Sequence, residues 1–160
     1  MPSWAEVASA APVLAAAVEG RFNATGLGLL ATVRAGGAPR ISPVEPLFAA
    51  GELWMGSMPD SRKAADLMRD PRFALHAATA DKNVADGDAK LAGRADLVDD
   101  DATLRRFLEA FEARTGYAPP PPFPLFRADV TEVSFLKPAG DHLDIDIWTV
   151  AGGLRRVERR

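Results

Sequence analysis

The residue types best suited to chemistry sit together in Gly56-Ser57-Met58-Pro59-Asp60-Ser61-Arg62-Lys63. Asp60 or Ser61 opens a helix here, because a short oxygen-bearing side chain can accept from the free amides of a first turn. Arg62 and Lys63 then fall in that first turn, where the positive end of the helix dipole disfavours cations by about 0.3–1 kcal/mol each. An anion at the helix start reverses the sign. It would be held by backbone N–H groups, by the hydroxyls of Ser57 and Ser61, and by the two cations. A phosphate monoester suits that donor set; the alternative is a pair of solvated surface cations. In Arg40-Ile41-Ser42 the outer two residues share one face of a strand, which can turn a guanidinium and a hydroxyl toward the same place. Taken alone, Arg40 also reads as a surface strand arginine.

Several elements must position these groups. Residues 4–19 have the pattern of an amphipathic first helix with Trp4, Val7, Leu14 and Val18 on its buried face. Strands are predicted at 26–33, 39–44 and 52–56, with turns at Arg34-Ala35-Gly36-Gly37 and Ala50-Gly51, which together form an antiparallel meander. Pro39, Pro43 and Pro46 interrupt any hydrogen-bond ladder and place the second strand at an edge or a bulge. A helix follows over 60–70, with Ala64, Leu67 and Met68 on one face and Pro71 at its end. Strands at 73–78 and 90–98 flank a polar loop, 80–88. Asp99-Asp100-Asp101 begins a helix running to about Arg114, its carboxylates meeting the positive dipole end; Phe107, Leu108 and Phe111 form its apolar face. Pro119 to Pro122 carries the chain across the surface to strands at 125–137 and 142–150. The sum is one domain over 1–160, mainly β (α+β), a six- to seven-stranded antiparallel split barrel with peripheral helices and an arginine-rich C-terminal tail. Strands in short-turn groups exclude a doubly wound parallel sheet.

Composition narrows the chemistry. The chain has 160 residues, 48% hydrophobic and 26% charged, enough to bury a core without cross-links. Having no cysteine, it has no thiolate nucleophile, Cys-ligated zinc or iron–sulfur cluster. A net charge of −3 provides no field for a polyanion, and the terminal Arg155, Arg156, Arg159 and Arg160 lack interleaved aromatics, so nucleic acid is not an expected partner. The apolar stretch 10–18 has no preceding Lys or Arg, contains Pro12 and is too short to span a bilayer, so the expectation is a cytoplasmic protein without a membrane segment. Gly26-Leu27-Gly28 leads into a strand rather than a helix and is no dinucleotide fingerprint. There is no Gly-x-Ser-x-Gly elbow, and neither His76 nor His142 has a serine neighbour to activate.

Pro39-Arg40-Ile41-Ser42-Pro43-Val44, Leu53-Trp54-Met55-Gly56-Ser57, Ser61-Arg62-Lys63-Ala64-Ala65-Asp66-Leu67 and Asp70-Pro71-Arg72, in that order and spacing, resemble the pyridoxamine 5′-phosphate oxidase-like split-barrel family. The resemblance implies a homodimer binding FMN at the subunit interface. It implies that Arg40, Ser61, Arg62 and Lys63 hold the flavin phosphate with Ser57 nearby, and that the backbone at Ile41 and Ser42 runs beside the isoalloxazine ring. It sets Trp148, ahead of the arginine-rich end, near the flavin; a core or interface aromatic is the equal alternative.

Departures from the family argue against vitamin B6 oxidation. The family's enzymes bind the substrate phosphate with a lysine five positions after the arginine matching Arg40, and here that position is Glu45. Their terminal Arg–x–His pair becomes Arg155 and Val157, and the flavin-contacting glutamine falls near Asp88. The implied function is an FMN-dependent oxidoreductase with an unassigned small-molecule substrate and no nameable catalytic acid or base. The alternatives are a deazaflavin-dependent reductase on the same fold, or a non-catalytic protein binding flavin, or haem through His76 or His142. No metal site is expected.

Overall fold

The computed structural model describes residues 2–160. Two helices open the chain, α1 (Trp4–Ala10) and α2 (Pro12–Thr25), where the sequence pattern predicts one. The break lies at Ala11, whose φ of −143° and ψ of 65° leave the helical region. Pro12 causes it, since its ring excludes helical geometry from the residue before it, while proline itself suits the first position of α2. Trp4, Val7, Leu14 and Val18 are all buried, as the periodicity predicts.

Nine strands and two more helices follow: β1 (Gly28–Val33), β2 (Pro39–Val44), β3 (Pro46–Ala49), β4 (Glu52–Gly56), α3 (Arg62–Arg69), β5 (Arg72–Ala77), β6 (Asp88–Leu97), α4 (Asp101–Thr115), β7 (Leu125–Ala139), β8 (His142–Thr149) and β9 (Gly153–Arg159). The architecture is the expected antiparallel, mainly-β fold with peripheral helices. The strand count exceeds the expectation because β3 and β9 emerge from stretches that read as a connection and a tail. The main path runs β2-β1-β5-β6-β7-β4-β3, with β8 pairing β7 and β9 pairing β8. The sheet splits along β7. One edge of β7 pairs with β6 from Phe126 to Leu136, while the other takes β4 at residues 125–128 and β8 at 132–139. A bulge at Ala92/Gly93 bends β6, and a Cβ on Gly93 would lie 2.0 Å from the Asp129 carbonyl oxygen, so only glycine fits there.

The predicted three-strand meander is corrected. β2 pairs only β1 and ends the sheet, as its prolines require, while β4 pairs β3 and β7. The Ala50-Gly51 turn, with φ of 53° and 76°, closes the β3–β4 hairpin instead. Strand period then explains the long apolar run. Phe48, Leu53, Met55 and Phe126 point into the main core beneath α1 and α2, and the alternate Leu47, Trp54 and Leu125 point into a second core closed by Phe107 of α4. β3 and β4 are thus buried on both faces.

Candidate functional site

The β4–α3 junction forms as its sequence dictates. Ser61 caps α3, its hydroxyl accepting from the Ala64 amide at 3.3 Å, and Asp60 takes a left-handed φ of 59° just before it. The hydroxyl oxygens of Ser57 and Ser61 lie 2.5 Å apart. The amides of Arg62 and Lys63 make no hydrogen bond among the described residues, and Arg62, exposed, forms no ion pair there. Lys63 is half-buried and donates from Nζ to the Pro43 carbonyl at 2.7 Å. Burial lowers its pKa, and Glu45 nearby opposes that shift. This eight-residue helix therefore opens with free amides, paired hydroxyls and two cations that form no ion pair among the described residues.

Arg40 faces the same helix by a route the meander did not anticipate. α3 packs on β1 and β6, and β2 lies beside β1, so Arg40, paired with Thr32, reaches α3 across that strand. Its Nε donates to Asp66 Oδ2 at 2.7 Å, while Thr32 Oγ1 donates to the same oxygen at 2.9 Å and Arg69 to Oδ1 at 3.3 Å. Asp66 is buried, and burial alone would raise its carboxyl pKa; the hydrogen bonds from Arg40, Thr32 and Arg69 outweigh this and hold it below the ordinary carboxylate range. Met68, predicted on the apolar face of α3, is exposed, and Asp66 is buried in its stead. Neither Asp66 nor Thr32 was a sequence candidate; the available signal was a carboxylate between buried Ala64 and Leu67. Arg40 is thus a clamp between β2 and α3 whose Nη atoms make no bond among the described residues.

Ile41 and Ser42 continue β2 on opposite faces, Ile41 exposed outward and Ser42 turned inward beside Arg40. Trp148 stands apart from the others. It is 7% exposed, packs in the main core, and lines none of the clefts. Arg155, Arg156 and Arg159 lie on β9, which pairs β8 along its whole length, and Arg160 follows it.

Next to the α3 start opens a cleft of about 700 Å³. Pro43, Glu45, Ser57 and Lys63 form one wall. Phe107 and Phe111 of α4, with Tyr117 and Phe123 from the segment after it, form the opposite wall. The sequence pattern assigned those α4 aromatics to a core, and Phe107 does both: it packs 5.8 Å from the ring of Trp54, 5.4 Å from Phe111 and 6.0 Å from Phe123. A second cleft, of about 560 Å³, adjoins Asp60, Ser61 and Ala64, and a third, of about 370 Å³, lies on the outer sheet face among Leu29, Ile41, Ala74 and His76.

Both ring nitrogens of each histidine are taken. His76 Nδ1 lies 2.7 Å from the Ala77 carbonyl and Nε2 3.1 Å from Asp88. His142 lies 3.1 Å from both Asp141 and Asp144. Asp88 also accepts from Thr79 at 2.6 Å, so the aspartate near the family's glutamine position ties the start of β6 to the segment after β5.

Comparison with known proteins agrees with this frame. The family model described as pyridoxamine 5′-phosphate oxidase matches residues 14–137. A pyridoxamine 5′-phosphate oxidase-related, FMN-binding protein from Nostoc punctiforme superposes with a TM-score of 0.63 at 16% identity, over 94% of this chain and 96% of that one. PhzG from Burkholderia lata, solved with tetrahydrophenazine-1-carboxylic acid, gives 0.63 at 14% identity, over 93% and 89%. A heme-binding protein from Mycobacterium smegmatis gives 0.58 at 18% identity, over 90% and 87%. At such identities the likeness is one of fold. No curated protein matches the sequence. No helix among the described residues is long and apolar enough to cross a membrane.

Proposed function

Since the chain belongs to the pyridoxamine 5′-phosphate oxidase family, we propose that it is an FMN-binding flavoprotein acting as an oxidoreductase, with the flavin at the interface of a homodimer. One observation carries this reading: the start of α3 gathers Arg62, Lys63, two free amides and the Ser57–Ser61 hydroxyl pair, and neither cation forms an ion pair among the described residues. That donor set fits a phosphate monoester, and within the protein alone the two amides and Arg62 have no partner among the described residues. Ser61, Arg62 and Lys63 bind the phosphate, Ser57 orients the Ser61 hydroxyl, and Arg40, bonded through Nε to Asp66 of the same helix, contributes its Nη groups. The backbone at Ile41 and Ser42, on a strand with an unpaired edge, lies along the ring system. Trp148 supports β8 from the core. Bound flavin supplies the capacity to accept a hydride or single electrons.

Two features support the dimer. β2 is an uncovered sheet edge, and Leu29 and Ile41, 45% and 72% exposed, present apolar surface on the outer face beside the third cleft. A partner covering that face would bury more than about 1,000 Å² in total. Occupation of the histidine nitrogens sets haem ligation behind flavin.

Titrating the protein with FMN and with riboflavin, which lacks the phosphate, tests the reading. FMN should bind at least a hundredfold more tightly, and sedimentation at micromolar concentration should give a dimer. Equal affinities would overturn the phosphate site, and a monomer would overturn the composite site. Uptake of a deazaflavin with FMN refused would move the assignment to that cofactor.

A further inference from the structure

The 700 Å³ cleft has room beyond a phosphate site, and its chemistry is lopsided. The volume falls within the range of small-molecule pockets. Its far wall is aromatic and held in place, because Phe107 is buried against Trp54 and anchors Phe111 and Phe123 on either side. Tyr117, 58% exposed, stands at the same wall. The near wall carries a single cation, Lys63, already committed to the Pro43 carbonyl and to the α3 anion site. The Glu45 carboxylate shares that wall and has no ion-pair partner among the described residues. An anionic group entering here would meet Glu45 with no spare cation to hold it, while a flat apolar molecule would meet ring faces.

We propose that this cleft holds the second ligand, the molecule that meets the bound flavin, and that it is a neutral apolar ring compound of about two fused rings, with Glu45 excluding phosphorylated and carboxylated molecules. This rests on the flavin reading, since the cleft opens onto Ser57 and Lys63 of the cofactor site. Glu45 is the specificity-determining residue, and Phe111 and Tyr117 are the contact surface.

The test uses the full chain, with and without FMN, and two probes matched in ring size: 2-methyl-1,4-naphthoquinone, which is neutral, and 1,4-naphthoquinone-2-sulfonate, which is an anion. Calorimetric titration of the FMN-loaded protein should show the neutral quinone binding at least tenfold more tightly. Glu45→Gln should strengthen the sulfonate several-fold and leave the neutral quinone unchanged. Phe111→Ala should weaken the neutral quinone about tenfold, and Tyr117→Ala, at an exposed position that folding does not need, should weaken it several-fold. FMN affinity should stay constant in Phe111→Ala and Tyr117→Ala, whereas Glu45→Gln, which removes a carboxylate acting on Lys63, should raise it if it moves it at all. Equal binding of the two probes, displacement of FMN by the quinone, or indifference to both aromatic substitutions would overturn the proposal. Absence of FMN binding with the neutral preference intact in the apo protein would overturn the flavin reading alone.

Discussion

The start of α3 and the β8–β9 hairpin both carry clustered cations, and they use them in opposite ways. On the hairpin, Arg156 donates to Asp146 through Nε at 2.7 Å and Nη2 at 2.9 Å, with Asp144 3.6 Å from Nη1. His142 sits between Asp141 and Asp144, with Glu158 3.9 Å away across the ladder. These charges are spent on one another. At α3, Arg62 has no carboxylate within ion-pair distance among the described residues, and Lys63 has only a carbonyl. One helical turn further on, Arg40, Arg69 and Asp66 repeat the hairpin's solution in buried form. A cation with a partner holds elements together, whereas one placed against a helix dipole without a partner is available to a ligand. Density of Arg and Lys in a sequence does not separate the two cases.

The largest effect expected from this contrast is in Arg62→Ala/Lys63→Ala. Each charge-assisted contact to a phosphate contributes roughly 1.5–3 kcal/mol. FMN affinity should therefore fall by about two to four orders of magnitude, toward the lower end because the two contacts share one ligand. Riboflavin affinity should hardly move. The apo protein should change little in stability, since relief at the positive dipole end, about 0.3–1 kcal/mol, offsets loss of the Lys63–Pro43 hydrogen bond. Parallel titrations and a denaturation curve check this, and a stability loss with FMN binding intact would place Arg62 and Lys63 with the hairpin cations.

Asp66→Asn should show the reverse pattern. The asparagine keeps the shape and loses the charge that Arg40, Thr32 and Arg69 converge on, which costs roughly 1.5–3 kcal/mol of folding stability by urea denaturation. The same group makes the wild type acid-sensitive. Its folded pKa is below the ordinary 3.8, so its contribution is complete above that value and disappears as the pH falls through the depressed folded value. A variant no less stable than the wild type at neutral pH would show the clamp to be dispensable.

Arg156→Ala should do less. The pair lies in solvent, where screening and side-chain entropy offset most of the attraction, so the thermal midpoint should move less than for Asp66→Asn. FMN affinity should not change. A large loss of FMN affinity here would erase the contrast between the two regions.

The smallest effect is the pH response of the hairpin. The hydrogen bond to Asp141 raises the pKa of His142 above 6.5, with Glu158 and Asp144 adding to it against desolvation. Its contribution is therefore complete below 6.5 and fades as the pH climbs through the raised value. Amide exchange in β8 and β9, corrected for intrinsic rates, should accelerate over that interval. His142→Gln should abolish the change.

What could be read directly from the chain was local. Ser61 caps α3 and Asp100 caps α4, accepting from the Thr103 amide at 2.8 Å, because a cap needs only a residue and the amide three positions on. The prolines of β2 marked a sheet edge because proline has no amide to donate. Arg62 and Lys63 were legible as cations set against the helix start because the sign of a helix dipole follows from chain direction. Long-range pairing was not legible. β3 and β4 carry apolar residues at successive positions, a pattern common to buried strands and buried helical segments, and only the second core beneath α4 shows that both faces are covered. β9, rich in arginine, took its place through Asp144 and Asp146 on the neighbouring strand rather than through any apolar face.

The sequence by itself therefore determined the antiparallel class, the caps, the edge strand and the placing of two cations at the start of α3, all consequences of backbone geometry within a few residues. Tertiary structure alone decided which cations were neutralised and what stood opposite them. Asp66 reaches Arg40 and Thr32 across 26 and 34 residues of chain, and the aromatic wall facing Lys63 arrives from α4 and the segment behind it. Hydrogen bonds and van der Waals contacts act only over a few ångströms. Their partners are therefore set by how the sheet folds back on itself, which no spacing along the chain records.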